Sequence, residues 1–395
     1  MEKLIKTFRV QLSPNNRQNT RLFQMSGVSR FAYNWALTRQ KENCEQGNNF
    51  IKEKVLRREF TQLKSQKEYK WLNNISNNVP KQAIRDLFGA YVNFFDGRAN
   101  YPKYKTKRKS KPSFYQDTAK INFTKTHVKL EKISLSQKKN KKKLNWIRLK
   151  EKDRIPFGEG VKYFDPRLNF DGLNWWITVG VEHVIDFSLP QTEGIGMDLG
   201  VNELAITSDN DVFDNINKSK IVRKIEKKKR RLQRKVSRKY QYNKKGERYV
   251  KTCNIIKSEK EILKLYKRLT NIRHNYIHQI TTTIANRKPK FVVMEDLNVG
   301  GMMKNKHLSK VIQQQKFYEF RRIMEYKCHW NNIDFILADR FFPSSKLCRC
   351  CGSIKKDLRL KDRTYNCPCG NVIDRDYQAA LNLKQYGEGQ LQSAS

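Results

Sequence analysis

Residues 194–210 read GIGMDLGVNELAITSDN, and the reading of this stretch decides the fold. With the following DVFD it predicts a β-hairpin of strand, tight turn and strand. Asp198 lies inside the otherwise apolar first strand. A carboxylate among Ile195, Met197 and Leu199 is costly to desolvate unless something cationic receives it. Further along, FVVMEDLN (291–298) predicts an apolar strand that runs into Glu295 at its C-terminal end. IDRDYQAALNL (373–383) predicts a helix with Asp376 near its N-terminus and Ala379, Ala380 and Leu383 on its packing side. Each acid also has a plainer reading. Asp198 alone would be an ordinary buried acid paired with Arg or Lys, Glu295 the end of a strand, and Asp376 an N-cap, with Asp374 of the same DRD as the ligand instead.

The rest of the chain supplies a strongly cationic setting. Of 395 residues, 82 are Lys or Arg and 38 Asp or Glu, a formal net charge of +44. A chain this charged repels itself, and a polyanionic partner is the usual reason to retain such charge. The mean hydropathy of −0.82 and the lack of any long apolar run argue against a membrane-spanning protein. The first residues alternate and carry no secretory apolar segment, which predicts a cytoplasmic protein. Aromatic residues make up 11% of the chain, too many for a disordered polyelectrolyte.

The densest basic block is 218–251, opposed only by Glu226 and Glu247. Ile225, Leu232, Val236 and Tyr240 recur at helical steps there. The segment therefore predicts a helix presenting Lys227, Lys228, Lys229, Arg230, Arg231, Arg234, Lys235 and Arg238 to phosphates. A second helix is predicted over 258–286, with Ile262, Leu265, Leu269, Ile272, Tyr276, Ile280 and Ile284 on one face. Residues 98–113, RANYPKYKTKRKSKPS, interleave Tyr with Lys and Arg and predict a backbone-binding loop with Lys103, Lys105, Lys107 and Arg108. Residues 3–12 alternate as a strand. From Gln18 to Phe95 two helical stripes appear, Leu22-Met25-Val28-Phe31-Trp35 and Ala83-Ile84-Leu87-Phe88-Tyr91-Phe94-Phe95, both read as packing core. Residues 114–185 are mainly β, with KKNKKK (138–143) as a solvated hairpin tip.

Five of the eight cysteines fall between 348 and 369, in CRCCG and CPCG. Two tight turns offering two thiolates each suit one tetrahedral, structural zinc ion, with Cys348, Cys351, Cys367 and Cys369 as ligands. The second pair is C-x-C, one residue short, and Cys350 is a spare thiol. The six histidines are dispersed, and His278 reads as a packing or hydrogen-bonding residue.

Strand-borne Asp, strand-end Glu and helix-borne Asp, in that order, form the acidic set of RNase H-like nucleases. There, two Mg²⁺ ions ~3.5–4 Å apart are bridged by carboxylate oxygens. The segments GIGMDLGVNELAITSDN, FVVMEDLNVGGM, SSKLCRCCG and CPCGNVIDRDYQAALNL resemble the TnpB/OrfB family of insertion-sequence proteins, relatives of the type V CRISPR effector nucleases. KKKRRLQRKVSRK, NIRHNYIHQITTTIA and RFAYNWAL share the likeness.

The resemblance implies an α+β multidomain fold. Its RuvC-type nuclease domain (186–343 and 373–385) would carry an inserted zinc ribbon (344–372). A β-barrel-like wedge domain (1–12 and 114–185) would be interrupted by a helical recognition domain (13–113). Apart from the resemblance, the small, polar GEGQLQSAS end predicts a disordered tail over 386–395. The resemblance further implies an Mg²⁺-dependent endonuclease with Asp198, Glu295 and Asp376 as catalytic triad. A transposon-derived guide RNA would direct it to double-stranded DNA beside a short adjacent motif. A transposase or resolvase acting on DNA without RNA, and a non-catalytic RNA-guided regulator, are the alternatives.

Overall fold

In the computed structural model, which describes residues 3–135, 143–184, 190, 192–359 and 362–394, the alternating segment KLIKTFRVQLS forms strand β1, Lys3–Ser13. It opens the first of two compact units, Met1–Val184 and Ile185–Ser395. Helix α1 follows, Asn16–Glu45, started by a capping box in which Asn15 accepts from the Gln18 amide and Gln18 returns the bond. Then come α2 (Glu53–Leu63), a 3₁₀ turn (Lys67–Asn74) and α3 (Asn78–Phe95). The remaining strands are β2 (Ser113–Tyr115), β3 (Asn122–Phe123), β4 (His127–Lys129), β5 (Trp146–Leu149), β6 (Tyr163–Phe170) and β7 (Trp175–Val184).

These strands form one seven-stranded sheet in the order β2-β6-β7-β1-β5-β4-β3. Strand β1 serves both halves, since Lys3–Gln11 pair with β7 while Leu12 and Ser13 pair with β5. Among the described residues the outermost strands, β2 and β3, do not pair with each other. Leu22, Met25 and Val28 of α1, Ala83, Ile84 and Leu87 of α3, and Val10, Ile147 and Ile177 of the sheet share one buried core. Each of the Leu, Ile, Val and Met side chains contributes about 1.5–3 kcal/mol by leaving water. The second stripe outruns the core, however: Phe95 is 66% exposed. Of the KKNKKK run, 138–142 lies outside the described residues, and Lys143 begins a short 3₁₀ turn.

The second unit is built on the hairpin β8 (Ile195–Asp198) and β9 (Glu203–Thr207), extended by β10 (Val212–Asp214). Ser219 caps α4 (Lys220–Tyr242), and Thr252 caps α5 (Cys253–Asn286), with the two-residue strands β11 (Lys244–Lys245) and β12 (Arg248–Tyr249) between them. Strand β13 (Phe291–Glu295) leads through α6 (Val299–Met302), α7 (Ser309–Gln315) and α8 (Phe317–Trp330) to β14 (Asp334–Ala338). The hairpin β15 (Thr364–Asn366) and β16 (Val372–Asp374) precedes α9 (Arg375–Ala394).

The sheet order is β10-β9-β8-β13-β14, and β8, β13 and β14 are parallel. Parallel strands are buried on both faces, which accounts for the apolar runs IGM and FVVM. Ile195, Met197, Val292 and Met294 pack with Ile277 and Ile280 of α5 and with Phe320 and Met324 of α8. Phe291 and Val293 pack with Leu383 of α9.

The expected disordered tail is a correction, because α9 continues through Ala394. Its Gly387 is pressed so closely on Phe291 and Val293 that a Cβ would collide with both, and Leu391 packs on the same cluster. No described helix is long and apolar enough to cross a membrane.

Candidate active site

Parallel pairing of β8 with β13 sets Met197 opposite Met294, so Asp198 and Glu295 leave the C-terminal ends of neighbouring strands side by side. The C-terminal edge of a parallel sheet is where open α/β folds place their ligands. Helix α9 crosses β8 closely enough that a Cβ on Gly196 would run into the Ala380 carbonyl and the Lys384 amide. Glycine there allows the first turn of α9, with Asp376, to reach the acids. The helix start also decides between the two aspartates of DRD. Asp374 Oδ1 accepts from the amides of Asp376 and Tyr377, both at 2.9 Å, so Asp374 is the cap and Asp376 is left to face the strands.

The three carboxylates feel one another. Burial, then the charges of Glu295 and Asp376, hold the Asp198 carboxyl well above its ordinary range, opposed by Arg375. Burial and the Asp376 charge also raise Glu295, against a hydrogen bond donated to its Oε1 by the Ser344 hydroxyl. Asp376 is held by cations. Arg375 donates Nη2 to its Oδ1 at 2.8 Å, and Arg363 donates Nη1 to Oδ2 at 3.1 Å.

Beside Asp198 lie the acids Glu295 and Asp376, and the opposing cation is Arg375, which hydrogen-bonds Asp376. The three sets of oxygens are not gathered into one tight cluster. Among the described residues, the four cysteines are the group of His, Cys, Asp or Glu whose ligand atoms all lie within 4.8 Å of one another. Two raised carboxyls beside a third acid nonetheless form a donor set with unbalanced negative charge, which fits a hard divalent cation.

Next to Glu295 in sequence, Asp296 is clamped by Arg321 and Arg340, each at 2.6 Å, and its carboxyl is held below its ordinary range. A cavity of about 210 Å³ opens here, lined by Glu295, Asp296, Leu199, Asn298, Tyr318 and Arg340 among others.

At the cysteine turns, Cys348 and Cys369 Sγ are 3.6 Å apart, as are Cys351 and Cys367. Disulfide sulfurs sit at ~2.0 Å, whereas thiolates around a ~2.3 Å metal bond sit at about these separations. Each turn closes through a glycine in the left-handed region, Gly352 at φ +71° and Gly370 at φ +91°. Burial works to raise the Cys348 thiol, but the amides of Cys351 and Cys350 and the Asn371 side chain bring it down to about 6. Cys350 is exposed and outside the cluster.

Of the expected phosphate-facing residues on α4, Lys227, Lys228, Arg230, Arg231, Arg234, Lys235 and Arg238 are exposed. Lys229 is a correction: it turns inward to Glu226 at 2.7 Å and over the Tyr266 ring at 4.4 Å. In the basic loop, Lys103, Lys107 and Arg108 are exposed. Lys105 is another correction, with Nζ over the Tyr33 ring at 3.8 Å and its main chain bonded both ways to Asn34. His278 lies beside His274, ring centroids 4.9 Å apart, and burial pushes it down to about 4. Sequence reasoning missed Ser344, Arg363 and Arg375, whose neighbours SSK, DRT and DRD carry no pattern that marks them.

Three family models match this chain. One described as a helix-turn-helix domain of OrfB from IS605 covers residues 1–49, and one described as "Probable transposase", OrfB of IS605, covers 179–306. A third, the Cas12f1-like TNB domain, covers 317–383, which spans the cysteine turns and Asp376. Over these segments the chain is similar to the OrfB family. Its residues matched as helix-turn-helix fold as strand β1 and the single long helix α1.

A Streptomyces pristinaespiralis protein named "Putative RNA-guided DNA endonuclease" is 29% identical, over 98% of this chain and 90% of its own length. An Escherichia coli K12 protein with the same designation is 27% identical, over 98% of this chain and 94% of its own. Among solved structures, a Cas12f1 chain from a complex with guide RNA and target DNA superposes with a TM-score of 0.61 at 12% identity. The match covers 97% of this chain and 99% of that one, and establishes a shared fold.

Proposed function

We propose that this protein is an OrfB-type RNA-guided DNA endonuclease that hydrolyses phosphodiester bonds at Asp198, Glu295 and Asp376. The observation that carries the reading is the pair of raised carboxyls on adjacent parallel strand ends, with a third acid brought over them by α9. The names of its full-length relatives support the same activity.

In this reading the second unit is an RNase H-like nuclease domain, 186–343 and 373–385, with a zinc ribbon at 344–372. In the first unit, the sheet is the wedge domain and 13–113 the recognition domain. Asp198, Glu295 and Asp376 would hold the magnesium ions. Bound divalent cations supply activation of water and neutralisation of charge at the leaving 3′-oxygen. The chain's own part is to hold the three carboxyls oriented. Ser344 fixes Glu295, the Asp374 cap fixes the helix turn bearing Asp376, and Arg363 and Arg375 balance the charge of Asp376. Cys348, Cys351, Cys367 and Cys369 hold one structural zinc, because four thiolates leave no position for water.

The exposed cations of α4 and the 98–113 loop bind phosphates of the guide RNA and target DNA, where recognition is by backbone and shape. Purified without nuclease treatment, the protein should carry one defined RNA and cut DNA matching its guide only when Mg²⁺ is supplied. Absence of a defined RNA, or full cutting in EDTA, would refute the reading.

A further inference from the structure

Ser344 is buried between the sheet and α9, and every polar group it carries is engaged. Its hydroxyl donates to Glu295 Oε1, its amide donates to the Phe342 carbonyl at 2.8 Å, and its carbonyl accepts from Asn382 Nδ2 at 2.7 Å. Asn382 makes a second bond, to the Leu347 carbonyl at 2.8 Å. Gln378, one turn earlier on α9, donates to the same carbonyl at 2.7 Å. Gln378 in turn accepts from Asn371 at 3.0 Å, and Asn371 donates to Cys348 Sγ at 3.5 Å. Gln378 is 0% exposed and Asn382 1%, so these amides have no water to fall back on. A continuous set of buried and half-buried hydrogen bonds thus runs from the first cysteine of the metal turns to one oxygen of Glu295. Among its buried polar atoms Asn382 Oδ1 is left without a partner, while both bonds donated by the Asn382 amide nitrogen are made, and breaking them would add to that cost.

We infer that Ser344 is a positioning residue for Glu295, and that Gln378 and Asn382 tie it to the cysteine turns so that the knuckle anchors the carboxylate. The inference rests on the reading of Glu295 as a metal ligand. The hydroxyl engages Oε1, so Oε2 is the oxygen that would be offered to a cation. Sequence neighbours reinforce the point: Leu347, held by two side-chain amides, directly precedes Cys348. Partners that orient a ligand in this way typically change metal affinity or activity ~10–100-fold when removed.

The test uses the full-length protein with its guide RNA and Mn²⁺ as the probe. Mn²⁺ affinity is read by electron paramagnetic resonance without target DNA, alongside the Mn²⁺ concentration giving half-maximal cutting. Zinc content and melting temperature are measured on the same samples. Ser344→Ala should weaken Mn²⁺ binding about tenfold or more and raise the half-maximal concentration in parallel, with zinc and melting temperature unchanged. Ser344→Thr, which keeps the hydroxyl, should recover most of the affinity. Asn382→Leu should reproduce the Mn²⁺ shift even if it also lowers the melting temperature. Unaltered Mn²⁺ affinity in Ser344→Ala would overturn the inference, as would a loss that only follows falling zinc or stability. Wild-type protein that binds Mn²⁺ but cuts nothing would refute the nuclease reading while Ser344 is still judged by resonance. Mn²⁺ binding that survives Asp198→Ala and Glu295→Ala unchanged would overturn the positioning role.

Discussion

The cysteine knuckle and the carboxylate cleft are two candidate metal centres in one unit, and they are assembled differently. The knuckle draws its donors from two local turns closed by glycines, and its four sulfurs already lie within 4.8 Å of one another. The cleft draws its donors from two strands and a helix far apart in sequence, its oxygens are less tightly gathered, and one acid is held by arginines. On the proposed reading the knuckle would be a finished structural site, and the cleft one whose charge is balanced only when cations bind.

The largest expected effect is at the cleft. Asp198→Ala should cut guided DNA hydrolysis by about a thousandfold or more, the several kcal/mol that metal-assisted charge stabilisation supplies. RNA retention measured by filter binding should be nearly unchanged. Joint loss of both would make Asp198 a folding residue and erase the contrast. Next comes the knuckle: Cys348→Ser should remove bound zinc, assayed by inductively coupled plasma spectrometry, and lower the melting temperature by about 5 °C. Unchanged zinc content would mean that these sulfurs are not the ligands.

A smaller effect separates the two centres by pH. Burial and mutual repulsion raise Asp198 and Glu295, so the folded, cation-free protein binds protons there more tightly than the unfolded chain does. Their stabilising contribution is complete below the ordinary carboxylate range near ~4 and is lost as pH rises through the raised values. On the proposed reading, Mg²⁺ would replace those protons. Its gain in melting temperature should therefore be about 2–4 °C at neutral pH and much smaller at about pH 5. An equal gain at both would place the cation elsewhere. The smallest effect is at the spare thiol: Cys350→Ser should leave zinc content and melting temperature as they were, since Cys350 is exposed and outside the cluster.

The two centres also differed in how readable they were. Asp198 and Glu295 stand out because each interrupts an apolar run that only a doubly covered strand explains. The four cysteines are legible because their geometry closes locally. Asp374 and Asp376 cannot be told apart in sequence, since both are polar residues at a helix start and only the amides that Asp374 accepts from decide the matter. Lys229 and Lys105 look like their neighbours in basic runs, but each is turned inward by a tyrosine ring from a distant part of the chain. Ser344, Gln378 and Asn382 carry no signal at all, because a polar side chain facing a buried carbonyl is written like one facing water. The segment GEGQLQSAS reads as loose coil for a related reason: its glycine is required by close packing on Phe291, which no local pattern reveals.

The fitting of α9 against β8 through Gly196 has a consequence for synthesis. A ribosome delivers Asp198 and Glu295 well before it delivers Asp376, and the helix bearing that last acid can dock only on a sheet already formed. On the proposed reading, a growing polypeptide carries an incomplete cutting centre. It is armed only once its final structural piece settles into place.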